Sequence, residues 1–238
     1  MQTVILAGGK GTRAYPFTEY LPKPMMPVHG KPIIWQVMNL FAQQGITQFL
    51  ISLGYRKEII IDYFENRCPE WDVGLIDTGE DTDTGGRVRN LREHLNGTFM
   101  ATYVDGLSDV NFDKLLEFHH SHDGLVTVTS VPLVSQYGTI DFGESGEITR
   151  FREKPVLPTY WINAGFFVMD PEIFEHWEGT NLERDVLPAL SKKGLAYTYR
   201  HDGYFKSMDT YKDQQEIEEN VALGKLLRGD PQCVDAVS

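Results

Sequence analysis

The chain holds 238 residues, with 22 Lys and Arg against 34 Asp and Glu, for a formal charge of −12. That length suits one α/β domain or two small ones, and 41% hydrophobic with 12% aromatic residues supplies a full core, which excludes a disordered chain. The acidic balance argues against nucleic acid and against an anionic membrane surface, both of which need concentrated Lys and Arg; small molecules, metal cations or copies of the same chain fit better.

Cys68 and Cys233 stand far apart without a CxxC or Cys/His spacing, so neither a disulfide framework nor a zinc site is read. The first residues run into a glycine loop with no basic leader, and no apolar stretch approaches the roughly 18 residues of a membrane span. The expectation is a soluble cytoplasmic protein.

Residues 3–6 form a short apolar run closed by Ala7-Gly8-Gly9-Lys10-Gly11-Thr12-Arg13, which reads as a buried strand entering a tight turn. Such a loop exposes backbone N–H groups beside two cations, as a polyphosphate requires. Its spacing matches neither GxxxxGK[ST] nor GxGxxG, and a plain turn explains it equally well. Lys23, in Leu21-Pro22-Lys23-Pro24, is held between two prolines of fixed φ, a rigid cation opposite the loop or else a solvated turn lysine. Pro32 then opens a helix with Ile34, Val37, Met38 and Phe41 on one face, stopped by Gly45. A strand over 48–53 and a helix over 57–64 follow, and this alternation implies a mostly parallel sheet with helices on both faces.

Residues 77–87 read as an acidic, threonine-rich loop; Arg92 at the twelfth position from Asp81 excludes an EF-hand. Gly85-Gly86-Arg87 there suits close approach of a nucleotide, with a solvated loop as the alternative. A strand over 99–104 ends at Asp105, where open α/β sheets bind ligands. A helix over 113–122 carries His119, His120 and His122, read as a solvated helix end, and a strand follows over 125–131. Strand pieces over 139–142 and 148–152 give the second half a mixed sheet. Lys154, fixed by Pro155, is a candidate for a phosphomonoester, and Asn163, opening a strand over 163–169, for a sugar hydroxyl. Helices over 171–177 and 182–193, a strand over 195–200 and a helix over 210–227 complete the chain. Asp209 precedes that last helix. Together with Asp105 it could hold Mg²⁺ with phosphate oxygens, although an Asp at a strand exit or helix cap is equally common for structural reasons. No linker, repeat or low-complexity tract appears, so one continuous domain over 1–238 is expected.

Taken in this order, LAGGKGTR, LPKPMMPV, TYVDG, FREKP, INAGFFV and MDT resemble the sugar-1-phosphate nucleotidyltransferase family. Asp77-Thr78-Gly79 with Thr84-Gly85-Gly86-Arg87, then residues 103–110, Trp161-Ile162-Asn163, His201-Asp202-Gly203 and Met208-Asp209-Thr210 are most similar to its glucose-1-phosphate cytidylyltransferase group. The resemblance implies a three-layer α/β sandwich of Rossmann-like type around a mostly parallel mixed sheet, with a nucleotide-binding half over about 1–110 and a sugar-phosphate half over about 111–238. It implies that the phosphate of a sugar 1-phosphate attacks the α-phosphorus of CTP and expels pyrophosphate. Leu6, Ala7, Gly8, Gly9, Gly11, Thr12 and Arg13 would cradle the triphosphate, and Thr84, Gly85, Gly86 and Arg87 would line the base and ribose. Tyr103, Gly138, Glu153, Lys154, Asn163 and Ala164 would take the sugar phosphate, and Asp105 and Asp209 would hold Mg²⁺. Lys23, which also meets the nucleotide, would form the catalytic set with Arg13 and Asp105. A homo-oligomer is implied, with no nucleic acid or membrane partner. Guanylyl or thymidylyl transfer to a heptose or hexose 1-phosphate is the nearest alternative, since residues 182–188 would be at home there. A catalytically silent sugar-nucleotide-binding subunit is a second; a dinucleotide-dependent dehydrogenase lacks its GxGxxG.

Overall fold

A computed structural model describes residues 1–12, 17–66 and 71–222. In chain order, β1 (Gln2–Leu6) leads through a small hairpin, β2 (Pro27–Val28) and β3 (Lys31–Pro32), to α1 (Ile33–Ala42), β4 (Gln48–Leu53), α2 (Lys57–Asn66) and β5 (Asp72–Asp77). Next come α3 (Thr84–Asn90), β6 (Phe99–Tyr103), β7 (Gly106–Ser108), α4 (Phe112–His119) and β8 (Val126–Val134). The second half holds the β9 (Thr139–Phe142) and β10 (Ile148–Arg152) ribbon, the long β11 (Val156–Met169), α5 (Leu187–Lys192), β12 (Ala196–Arg200), β13 (Phe205–Ser207) and α6 (Tyr211–Ala222).

Seven strands form the central sheet in the order β12-β8-β11-β6-β1-β4-β5. β1 pairs in parallel with β4 and β6, β4 with β5 and β8 with β12, while β11 runs antiparallel between β6 and β8. The sheet is buried on both faces, and its side chains sort by the two-residue period of a strand. Val4 and Leu6, Phe99 and Ala101, and Phe167 and Met169 enter one core, shared with Val88, Val186 and Leu190. Ile5 and Ala7, Met100, and Phe166 and Val168 enter the other, against α1, α2 and α4 through Val37, Phe41, Ile60 and Leu115. Each such fully buried side chain contributes about 1.5–3 kcal/mol of transfer free energy, so the three-layer α/β arrangement follows from the alternation itself. Among the described residues no helix is long and apolar enough to cross a membrane.

Several elements differ from their sequence-based expectations. β5 has a half-buried, glycine-containing pattern rather than a clean alternation, so no strand is expected there. β11 begins at Val156, well before 163, because its first half is an exposed arm that pairs with the end of β8 through two register shifts. The end of the segment read as an acidic, threonine-rich loop, from Thr84 on, is α3, and the expected helix over 171–177 is a 3₁₀ turn, Pro171–His176. The helix expected over 182–193 opens with a π turn, Leu182–Val186, before α5. The last helix is described to Ala222, so its expected end at 227 lies outside the described residues, as do Cys68 and Cys233.

Candidate active site

The parallel strands all point their C-terminal ends at one edge of the sheet, the position at which open α/β sheets collect ligands. Leaving β1, Ala7 donates its N–H to Ser52 of β4 at 3.0 Å and the chain turns into the glycine loop. The Gly8 carbonyl accepts from Tyr55 N–H at 3.0 Å and from Arg87 at 2.9 Å, which pins the start of the loop. Gly11 has φ +60°, and a Cβ there would lie 2.9 Å from the Cβ of Lys23. Glycine is required at Gly11 twice over, by its left-handed backbone and by the lysine stem against it. Gly9 is open on the side a Cβ would occupy, and Thr12 lines a shallow cavity of about 300 Å³ with Lys10, Thr18, Glu19 and Tyr55.

Lys23 opens a single 3₁₀ turn, Lys23–Met25, with Pro22 as its cap; Met25 N–H reaches the Pro22 carbonyl at 2.8 Å and Met26 N–H the Lys23 carbonyl at 3.1 Å. Both flanking prolines are buried, and only 7% of Lys23 is exposed. Its ammonium donates to Asp105 Oδ2 at 2.6 Å and to Asp209 Oδ1 at 2.7 Å. The two aspartates, remote in sequence, meet through a short antiparallel ladder. Gly106 of β7 pairs with Ser207 of β13, and Met208 N–H bonds the Asp105 carbonyl at 2.8 Å, so the residue before one strand faces the residues after the other. A buried ammonium must be paired to persist in a low-dielectric site, and here two carboxylates do it.

On the neighbouring side Tyr103 ends β6 beneath the bulge of β11. Gly165 has φ +79°, and a Cβ there would strike the Tyr103 ring at 2.4 Å. Asn163 accepts from Gly165 N–H at 2.7 Å and donates toward the Tyr103 hydroxyl at 3.4 Å. Burial above all, then the charge of Glu183, pushes the Tyr103 phenol far above its ordinary pKa. Ala164 is buried and forms part of the core. Gly138 packs against Phe151 and Glu153 on the β9–β10 ribbon, and Lys154 beside them has φ 44°, a strained backbone for a non-glycine residue. Glu153 and Lys154 are exposed, and no hydrogen bond or ion pair among the described residues joins them to the Lys23 cluster.

The segment read as the base and ribose side is packed internally. Arg87 is buried under the glycine loop, where its guanidinium donates to the carbonyls of Gly8, Leu53 and Glu80 and to Thr78 Oγ1. Burial lowers its pKa, with Asp77 and Asp83 opposing. The space left free at Gly85 is taken by Thr180, whose carbonyl also accepts from Gly86 N–H at 2.8 Å. Thr84 Oγ1 accepts from Leu182 N–H and donates to Glu183. These three thus hold the loop and the π turn in place. Arg13 lies outside the described residues. His120 is exposed, as a solvated helix end requires, but His119 departs from that expectation: it is 2% exposed and bonded at both ring nitrogens, to Thr127 at 2.8 Å and to Asp170 at 3.2 Å. Glu183, absent from the candidate residues, accepts from two of them, Thr84 and Tyr103. Its signal was the cap formed by Asn181 and Asp185 around it, in which Asn181 accepts from Arg184 N–H and Asp185 from Thr180 and Asn181 N–H.

Comparison with known proteins gives concordant results. The family model described as nucleotidyl transferase matches residues 2–206. Glucose-1-phosphate cytidylyltransferase of Salmonella typhi is 33% identical, covering 94% of this chain and 97% of that protein. Mannose-1-phosphate guanyltransferase 2 of Candida glabrata is 31% identical over 90% of this chain and 62% of its own length. Among solved structures, HddC from Yersinia pseudotuberculosis complexed with GMP-PN superposes with a TM-score of 0.74 at 26% identity, covering 92% of this chain and 99% of that one.

Proposed function

The chain belongs to the nucleotidyl transferase family, and from that premise we propose that it transfers a cytidylyl group from CTP to a sugar 1-phosphate, with glucose 1-phosphate as the preferred acceptor. The observation that carries the reading is the convergence of Lys23, Asp105 and Asp209 beside a glycine loop packed on the lysine stem. A phosphate oxygen of the sugar 1-phosphate forms a bond to the α-phosphorus of CTP as the bond to the bridging oxygen breaks, and the electron pair leaves on pyrophosphate. The nucleophile is already an anion, so no general base is needed and catalysis reduces to alignment and charge neutralisation. Open N–H groups of the loop over Gly9 to Thr12, together with Arg13, receive the triphosphate; Lys23 neutralises the charge that gathers at the α-phosphorus. Tyr103, Asn163 and Glu153 bind the sugar, and Lys154 its phosphate, with Gly138 packed against Glu153.

The donor set fits Mg²⁺, because two hard carboxylates already share one cation and Mg²⁺ takes one or two carboxylates with phosphate oxygens and water for the rest. Bound there by Asp105 and Asp209, it would supply charge neutralisation between the phosphates. We further propose a cytoplasmic homo-oligomer. The guanyltransferase relative and the GMP-PN complex of a structural neighbour favour guanylyl transfer as the second reading. A matrix of CTP, GTP, UTP, ATP and dTTP against sugar 1-phosphates, scored by pyrophosphate release, decides between them: the expected maximum is CTP with glucose 1-phosphate, and a GTP maximum supports the alternative.

A further inference from the structure

Glu183 sits on the exposed first turn of the π-helical segment, and hydroxyls from two elements of the site each donate a hydrogen bond to it. Leu182 N–H donates to Thr84 Oγ1 at 3.0 Å, and because a carboxylate can only accept, the Thr84 hydroxyl donates its own hydrogen to Glu183 Oε2 at 2.8 Å. From the other side, Gly165 N–H can only donate, which fixes the Asn163 amide with Oδ1 toward Gly165 and Nδ2 toward the Tyr103 oxygen. The Tyr103 hydroxyl proton is then committed to Glu183 Oε1, the remaining partner of that phenol. Every hydrogen in the chain runs toward one carboxylate, from α3 on one side and from β6 and β11 on the other. π turns are rare and recur at functional sites, and this one carries the carboxylate.

We propose that Glu183 is the positioning residue of the sugar pocket: by accepting the hydrogen bond of the Tyr103 hydroxyl it leaves the tyrosine oxygen to act as an acceptor, holds Asn163 with its second N–H unengaged, and joins both to the α3 side of the cleft. The pocket is thereby set to receive a ring hydroxyl that donates to the Tyr103–Glu183 edge and accepts from Asn163. This rests on the sugar-1-phosphate reading above. Because Glu183 is exposed and lies in no core, its replacement leaves the fold intact.

The test is Glu183→Gln. In the intact protein labelled with ¹³Cζ-tyrosine, the Tyr103 resonance, identified by its loss in Tyr103→Phe, moves upfield at neutral pH when the phenol no longer donates to a carboxylate. In steady state the KM for glucose 1-phosphate rises about tenfold or more, the worth of one charge-assisted hydrogen bond, while kcat and the KM for CTP change less than about threefold. An unmoved Tyr103 resonance, or a CTP KM that rises in step with that of the sugar, overturns the proposal. If the wild-type protein shows no turnover with any nucleotide, the proposed function fails, and the resonance still decides the role of Glu183.

Discussion

In the proposed reaction Lys23 is the residue on which the chemistry turns, and its sequence context singled it out as a candidate. A lysine between prolines has its backbone fixed before any tertiary contact forms, and the structure adds what spacing could not supply: the carboxylates it meets. Removing a preorganised donor that acts in the transition state costs about 10² to 10³ in turnover, so Lys23→Ala is expected to fall at least that far in pyrophosphate release while its thermal transition remains cooperative. Asp209→Asn is expected to move the Mg²⁺ titration of activity to concentrations about tenfold higher or more, since even outer partners of metal ligands change affinity by about 10- to 100-fold; an unchanged titration removes Asp209 from the metal site. Arg87 carries the opposite lesson. Beside two glycines it reads as a residue suited to close approach of a nucleotide, yet its guanidinium is spent on three carbonyls and a hydroxyl below the loop. Nothing in a local pattern distinguishes those two uses, because both need space next to the backbone.

Elements were legible where periodicity was strong and obscure where a tertiary partner supplied the missing term. β1, β4 and β6 are short buried runs and α1 a strong apolar stripe, so local pattern and tertiary role agree. α3 forms despite glycine's cost of about 1 kcal/mol in a helix interior, because Thr180 and Leu182 pack into the space the glycines leave. The same holds at the end of α4, where His119 and His122 bond Thr127 of β8, and His119 also Asp170, instead of facing water. Their hydrogen bonds have one consistent order for neutral rings: Gly124 N–H to His122 Nδ1, His122 Nε2–H to Thr127, Thr127 O–H to His119 Nδ1, and His119 Nε2–H to Asp170. Burial above all holds the pKa of both His119 and His122 below the ordinary value. The unfolded chain, with histidines near pKa 6.5, therefore binds more protons than the folded one as pH falls. Stability is fully present above about pH 6.5 and is lost progressively below it, toward the folded values. Carboxylates such as Asp185, held low by the N–H groups of Asn181 and Thr180, lose their contribution only below about pH 4, a separate window. Urea midpoints measured between pH 7.5 and 5 are expected to fall in the native protein and to fall less in His119→Gln; parallel curves would show that His119 does not contribute to the fall.

At the scale of the whole molecule, most of the large hydrophobic side chains left in water are concentrated on the β9–β10 ribbon and the outer arm of β11: Phe142 is 73% exposed, Ile148 63%, Phe151 59%, Val156 56% and Tyr160 63%. A monomer rarely leaves such a patch open, and the ribbon is the same element that carries Glu153 and Lys154. The net charge of −12 opposes the approach of two copies, so in the proposed homo-oligomer the apolar patch has to outweigh repulsion that is screened over about 10 Å at 0.1 M salt. Two consequences separate self-association through this surface from a solitary chain. Light scattering of the native protein is expected to give a multiple of the chain mass, and added salt is expected to strengthen the assembly, because screening weakens the repulsion and leaves apolar burial intact. Phe142→Glu combined with Phe151→Glu places charge in the middle of the patch without touching either core, and is expected to return the mass to that of one chain while the thermal transition persists. A native mass of one chain at every concentration and salt, or a double variant that assembles as before, would assign the ribbon a different partner.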